Sequence, residues 1–268
     1  MVAKKKKVKK SKSKQIMTME SYAEQLVKGA DLAVSNLQTN EGSKISIKGN
    51  KFTFKGVDLE EKLQVIILDS VYERSFYDRK YDLDNPCIPA CFALSDLETN
   101  DTSPSENSVV AQSTNCLDCE HNEWGSADVG KGKKCNSHFR LMVMDGDIVD
   151  ISEVEELETP FLMVPATSMK AWKSYVTMLA KQFRVPAYAV VTTVTFDKDS
   201  DWEKLVFKLG SQISDPSLMG EVIKKREAVY DDCRFEYDPE NYVEPPIKSV
   251  KSKGKKKTAT KKKKKFSK

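Results

Sequence analysis

Hydrophobic and polar positions alternate with two periods along this chain, and the elements follow from them. Ile45 and Ile47, then Phe52 and Phe54, alternate with polar residues on either side of Gly49-Asn50, which predicts a hairpin over Lys44–Lys55. Leu63–Tyr77 is longer, and its unbroken apolar run Val65–Leu68 suits a strand buried on both faces. Further strands are expected at Phe139–Met144, Ile148–Ile151, Phe161–Val164, Tyr188–Phe196 and Lys204–Leu209, with a turn at Asp145-Gly146-Asp147. Helical spacing appears in three places. Ser21–Leu37 carries Tyr22, Leu26, Ala30 and Leu37. The segment from Thr167 or Ser168 to Phe183 carries Met169, Trp172, Val176 and Leu179. Pro216–Tyr230 opens on a proline in its first turn. Asp96–Thr114 reads as a polar loop, Glu153–Glu158 as a solvated acidic loop, and Asp231–Ile247 as an extended acidic segment.

About seven short strands joined mostly as hairpins, with two or three helices, predict an α+β fold. The order suits an OB-like antiparallel β-barrel with an inserted loop. The body is expected over residues 16–247, with the insertion at about 86–138, between a lysine-rich tail at 1–15 and another at 248–268.

Charge sharpens that division. The formal net charge is +4, yet residues 1–14 hold eight lysines and residues 248–268 hold twelve, with no acid in either. Setting those twenty charges aside leaves residues 15–247 at −16. An acidic body thus carries two cationic arms. Such arms suit phosphate backbones through counterion release, and also serve as solubility or targeting segments. No apolar run is long enough to span a membrane, and the basic N-terminus lacks the apolar stretch of a signal peptide. Six cysteines without a secretory signal point to a reducing compartment, where thiols stay free or bind metal. The expected location is therefore cytoplasmic, with no membrane partner.

The candidate chemistry lies in CLDCEHNEWGSADVGKGKKC, Cys116–Cys135. Its C-x2-C pair and third cysteine need one more ligand for a tetrahedral structural Zn2+. His138 would complete C-x2-C-x15-C-x2-H; Cys91 would complete C-x24-C-x2-C-x15-C, and Cys87 stands nearby. The Gly130–Lys134 stretch, GKGKK, lacks Walker A spacing, so it does not signal nucleotide hydrolysis. Only two histidines exist, His121 and His138, and the H-x-E with P-C-x-x-C pairing of a zinc deaminase is missing. The expectation is a protein without catalytic residues or a small-molecule substrate.

Aromatics interleaved with cations give the other signal. Tyr72, Arg74, Phe76, Tyr77 and Tyr81, with Arg79 and Lys80, resemble what a single-strand binding face needs: rings for bases, cations for phosphates. Trp124 would add a ring, and Lys131, Lys133, Lys134 and Arg140 would add charges.

Several stretches together resemble a known family: LQVIILDSVYERSFYDRKYDLDNP, PACFAL, the Cys116–Cys135 knuckle, FRLMVM, PATSMKAWKSYV and YAVVTTVTF. They look like the zinc-containing proteins that tailed bacteriophages encode near replication genes. The resemblance spans roughly residues 57–209, most specifically at WGS and GKGKxC. It implies OB-fold single-stranded-DNA-binding proteins of DNA replication or recombination, in the cytoplasm of an infected host cell. It implies Cys91, Cys116, Cys119 and Cys135 as the zinc ligands. Single-stranded DNA is the expected partner, with replication or recombination proteins beside it. The alternative is a zinc-ribbon adaptor or transcription-type factor, whose acidic body docks a protein while its tails hold DNA.

Overall fold

A computed structural model describes residues 44–80, 87–96, 102–148 and 150–242. The predicted helix at Ser21–Leu37, Tyr81 and both lysine tails lie outside the described residues. The described residues fall into two compact units. The first lies within Met1–Arg74, Leu94–Thr102 and Asn136–Phe235, the second within Ser75–Ala93, Ser103–Cys135 and Glu236–Lys268.

The strands are β1 (Lys44–Lys48), β2 (Lys51–Phe54), β3 (Val57–Asp58), β4 (Lys62–Phe76), β5 (Cys91–Ser95), β6 (Cys135–Asp145), β7 (Phe161–Val164), β8 (Val190–Phe196) and β9 (Leu205–Gln212). Their order is β3-β2-β1-β7-β6-β4-β8-β9, with β5 added to β4. The α+β expectation holds, and the sheet is strongly curled and open, a half-barrel with few helices. It is not wholly antiparallel: β1 and β7 pair in parallel through Lys44↔Phe161 and Ile45↔Leu162.

The expected hairpin is β1–β2. Gly49 and Asn50 both take positive φ, 61° and 58°, which matches the right-handed strand twist at a two-residue turn. The predicted return strand at Ile148–Ile151 does not form where the residues are described; Ile151–Glu153 is a 3-10 turn capped by the Asp150 side chain. An Asp-Ser pair that caps its own turn competes with strand pairing.

The two faces of the central strands build two cores. Val65 and Ile67 of β4, Leu141 and Val143 of β6, and Leu162 and Val164 of β7 join one cluster. Ile66 and Leu68, Met142 and Met144, and Phe161 join the other. That is why the run Val65–Leu68 is apolar at every position. The alternation slips along β4: Tyr72 belongs with the first cluster and Val71 with the second, so the phase changes across Asp69-Ser70. The first core is roofed by helix α1 (Met169–Met178), whose Met169, Trp172 and Tyr175 are buried, and by a π-turn, Leu179–Phe183. Arg184 ends it at φ 55°. The second is covered by α2 (Pro216–Ala228), which buries Val222, and by the short α3 (Tyr230–Cys233).

Two glycines are required by close approach. A Cβ on Gly146 would lie 2.8 Å from Val191 Cγ1 and 3.1 Å from the Gln64 carbonyl. One on Gly210 would lie 2.8 Å from the Val191 carbonyl, at the register shift between β8 and β9.

Candidate metal knuckle and nucleic-acid interface

The knuckle belongs to the second unit, and hydrogen bonds rather than an apolar core hold its loop. Glu120–Asn122 is a single 3-10 turn begun by Cys119, whose carbonyl accepts from Asn122 N–H at 2.9 Å. Asn122 Nδ2 donates to the Cys116 carbonyl at 2.7 Å, so one residue, through its side chain and its backbone N–H, ties the two ends of the C-x2-C pair. Gly125 and Ala127 N–H groups both donate to the Gly132 carbonyl, at 2.9 and 3.2 Å, closing the loop across WGSADVGKG. Ser126 Oγ accepts from Lys134 N–H at 3.0 Å and donates between the Glu123 and His121 carbonyls at 2.7 and 3.0 Å. Gly125 and Gly130 take φ of 93° and 83°, a conformation that costs a glycine little.

Beneath the loop, Phe76, Ala90 and Cys91 form a small buried cluster, with Cys135 packed against it. His121 stacks on Phe76 at 4.3 Å and 7° and meets Gln112 Oε1 at 3.2 Å. Cys116 and Cys119 are buried in the otherwise polar loop, and no cysteine is in a disulfide. The four thiols suit zinc by donor type; Cys91, Cys116 and Cys119 are buried, Cys135 is half-buried, and Cys91 and Cys135 meet at one cluster. Among the described residues, however, no three His, Cys, Asp or Glu side chains are gathered as a group able to hold a metal ion. His138 belongs to the first unit, its Nε2 3.1 Å from Glu73 Oε2. Cys87 is half-buried, and burial, ahead of its charged neighbours Arg79 and Asp78, raises its thiol pKa.

Four of the expected contacts, Tyr72, Arg74, Phe76 and Arg140, are interior. Tyr72 is 3% exposed and belongs to the first core, tilted at 58° against Phe139 with ring centroids 5.3 Å apart. Arg74 is buried against the Tyr72 ring, 5.2 Å from its centroid. Phe76 is covered by His121. None of the three offers a free ring or guanidinium to a nucleic acid, because a strand with cores on both faces spends its aromatics on packing. Arg140 is 1% exposed. Its Nε and Nη2 donate to Glu73 Oε2 at 3.1 and 2.5 Å, and its Nη1 donates to the Phe235 and Cys233 carbonyls at 2.9 and 3.2 Å. The guanidinium stacks on Phe235 at 3.9 Å. It is therefore a structural clamp and not a phosphate contact. Tyr77 is half-exposed.

What remains accessible sits on the knuckle. Trp124 is 80% exposed, and Lys133 Nζ stands 5.5 Å from its ring centroid while donating to Asn122 Oδ1 at 2.9 Å. Lys131 is exposed. Lys134 Nζ reaches Asp128 at 3.4 Å and lies 5.7 Å from the Phe76 centroid. Val110, Leu117 and Val129 add exposed apolar surface in the same unit.

Sequence reasoning missed Glu73, Asn122 and Ser126. Glu73 had a signal: a carboxylate inside a β-strand with apolar positions on both faces demands a buried cation. Asn122 and Ser126 act through backbone bonds, and residue spacing leaves no trace of those. Among the described residues no helix is long and apolar enough to cross a membrane. No protein-family model matches this chain, and comparison with curated proteins and with solved structures gives no match.

Proposed function

We propose that the chain is a non-catalytic single-stranded-nucleic-acid-binding protein whose knuckle is the contact and whose lysine arms add affinity. The observation that carries this reading is Trp124, a ring exposed on a loop held by its own hydrogen bonds, with Lys133 over its face and an exposed Lys131 on the same loop. A solvated indole costs free energy unless a partner covers it, and base stacking on such a ring contributes roughly 1–3 kcal/mol. The adjacent ammonium groups suit the phosphates that flank a stacked base. The resemblance over residues 57–209 points the same way, toward DNA replication or recombination and an OB-type barrel. Zinc, on this reading, is held by Cys91, Cys116, Cys119 and Cys135 and supplies rigidity alone, fixing a loop that has almost no core.

A second reading draws on Val110, Leu117 and Val129, exposed in the same unit as Trp124, whose other aromatics are mostly packed. An apolar, aromatic surface of this kind suits a protein partner, as a zinc-ribbon adaptor would need. Titration of labelled single- and double-stranded oligonucleotides at several salt concentrations separates the two. Trp124→Ala in the full chain should weaken single-strand binding about 5- to 100-fold, a loss of roughly 1–3 kcal/mol, and leave the duplex affinity set by the arms. Equal loss for both strand types, or none, would favour the protein-docking reading.

A further inference from the structure

The first unit holds a groove of about 510 Å³ that neither the knuckle nor the arms' affinity for DNA explains. Its floor is apolar: Ile45, Phe54, Leu59, Leu63, Val65 and Val143. Its rim is acidic: Glu60, Asp145, Asp147 and Glu158, with Lys62 among the described lining residues and Lys55 on Glu158. All four carboxylates are exposed. Glu158 is engaged by Lys55, and Asp147 accepts from Gln64 Nε2 at 3.1 Å; Asp145 accepts the Asp147 backbone N–H. The loop supplying the rim, residues 145–158, adds Asp150, Glu153, Glu155 and Glu156 and contains no lysine or arginine. This field repels a phosphate backbone, so the groove is not part of a nucleic-acid path.

We infer that this groove binds the lysine-rich arm at residues 1–14 of the chain itself. Charge complementarity is the first argument. The arm's Val2, Ala3 and Val8 give small apolar groups for the floor, between eight lysines for the rim. The second is where the described chain begins: Lys44 opens β1 and Ile45 lines the groove, so residues 15–43 tether the arm to the groove's own edge. The amphipathic stretch at Ser21–Leu37 is a poorer occupant, since Glu24 and Asp31 outweigh Lys28 and would face like charge. The arm then has two competing acidic partners, its own groove and a nucleic acid. Contacts of this exposed kind are screened beyond about 8 Å at physiological ionic strength, so salt loosens both.

Carbodiimide cross-linking of the full chain, mapped by mass spectrometry on an equal mixture of light and isotope-labelled protein, tests this directly. The expected result is same-molecule links from Lys4–Lys14 to Glu60, Asp145, Asp147 or Glu158, falling several-fold in 1 M salt. Asp145→Asn with Asp147→Asn keeps the acceptor atoms, and should cut the arm's remaining links to Glu60 and Glu158 about threefold at unchanged melting temperature. Links only from lysines of residues 248–268 would give the groove a different occupant and overturn the assignment. Mixed-isotope links would transfer it to a second copy, and absence of links, or a yield that the double variant does not alter, would also overturn it.

Discussion

Replacing Arg140 separates two roles that composition alone leaves together. A cation on the strand that leaves a lysine-rich knuckle reads as a phosphate contact, whereas the fold buries Arg140 between Glu73, two backbone carbonyls and the Phe235 ring. Arg140→Leu leaves the Glu73 carboxylate, itself fully buried, without its guanidinium. Removing one partner of such a pair costs about 3–5 kcal/mol. Of that, roughly 2 kcal/mol belongs to the Cys233 and Phe235 carbonyls, at about 1 kcal/mol per lost hydrogen bond. A shift of about 2–4 °C per kcal/mol for a domain of this size puts the fall in melting temperature at about 6–20 °C. Adding Glu73→Leu removes the stranded charge and should return the protein to within about 2 kcal/mol of the parent, the residue of the two carbonyls. Chemical denaturation of the parent, both single variants and the double gives the cycle. If Arg140→Leu unfolded at the parent midpoint and instead lowered oligonucleotide affinity, the clamp would be wrong and the phosphate contact right.

Other consequences are read in separate assays. Cys119→Ser should lower bound zinc, measured by mass spectrometry of the metal, and make the Trp124 fluorescence and the 116–135 amides lose protection; the first unit should keep its exchange protection, because its two cores contain none of the four thiols. Burial, aided by Asp69, pushes the Cys233 thiol up to about 11, so at pH 8 it should resist an aromatic disulfide reagent until the chain is unfolded. The same shift has a sign in stability: the unfolded thiol loses its proton first, so this group's contribution is intact below pH 9 and declines from there toward pH 11. Gly210→Ala forces a methyl to 2.8 Å from the Val191 carbonyl, a backbone atom that cannot swing aside. Overpacking of this kind costs about 1–3 kcal/mol, and a calorimetric melting temperature equal to the parent's would show that β8 gives way instead.

Local pattern carried much of the fold. The β1–β2 turn, the 15-residue strand β4, the proline at the start of α2 and the stripe Met169, Trp172 of α1 all stand where period and punctuation put them. Each depends on residues within a few positions of one another. The open, curled sheet and the parallel β1–β7 pair depend instead on which strands meet, and nothing local encodes that. The knuckle divides the same way. Its turn glycines were legible, while the reach of Asn122 to Cys116 and of Ser126 to Lys134 is a matter of loop closure.

The aromatic run of β4 shows why residue type misleads at a binding face. A strand with one face in solvent would present Tyr72, Arg74 and Phe76 on a single side, since they share parity. β4 has a core on each face, and across Asp69-Ser70 its phase slips, so Tyr72 turns into the first core while Glu73 turns to the second. The cations among these residues are then counterweights for buried carboxylates and rings. Trp124 escapes that logic because it stands on a loop closed by hydrogen bonds and stays 80% exposed, while His121 of the same loop takes the packing against Phe76. A ring in a sheet is held by default, whereas a ring on a glycine-closed loop is exposed unless something arrives to cover it. On that physical difference the proposed contact rests on the knuckle and not on the strand.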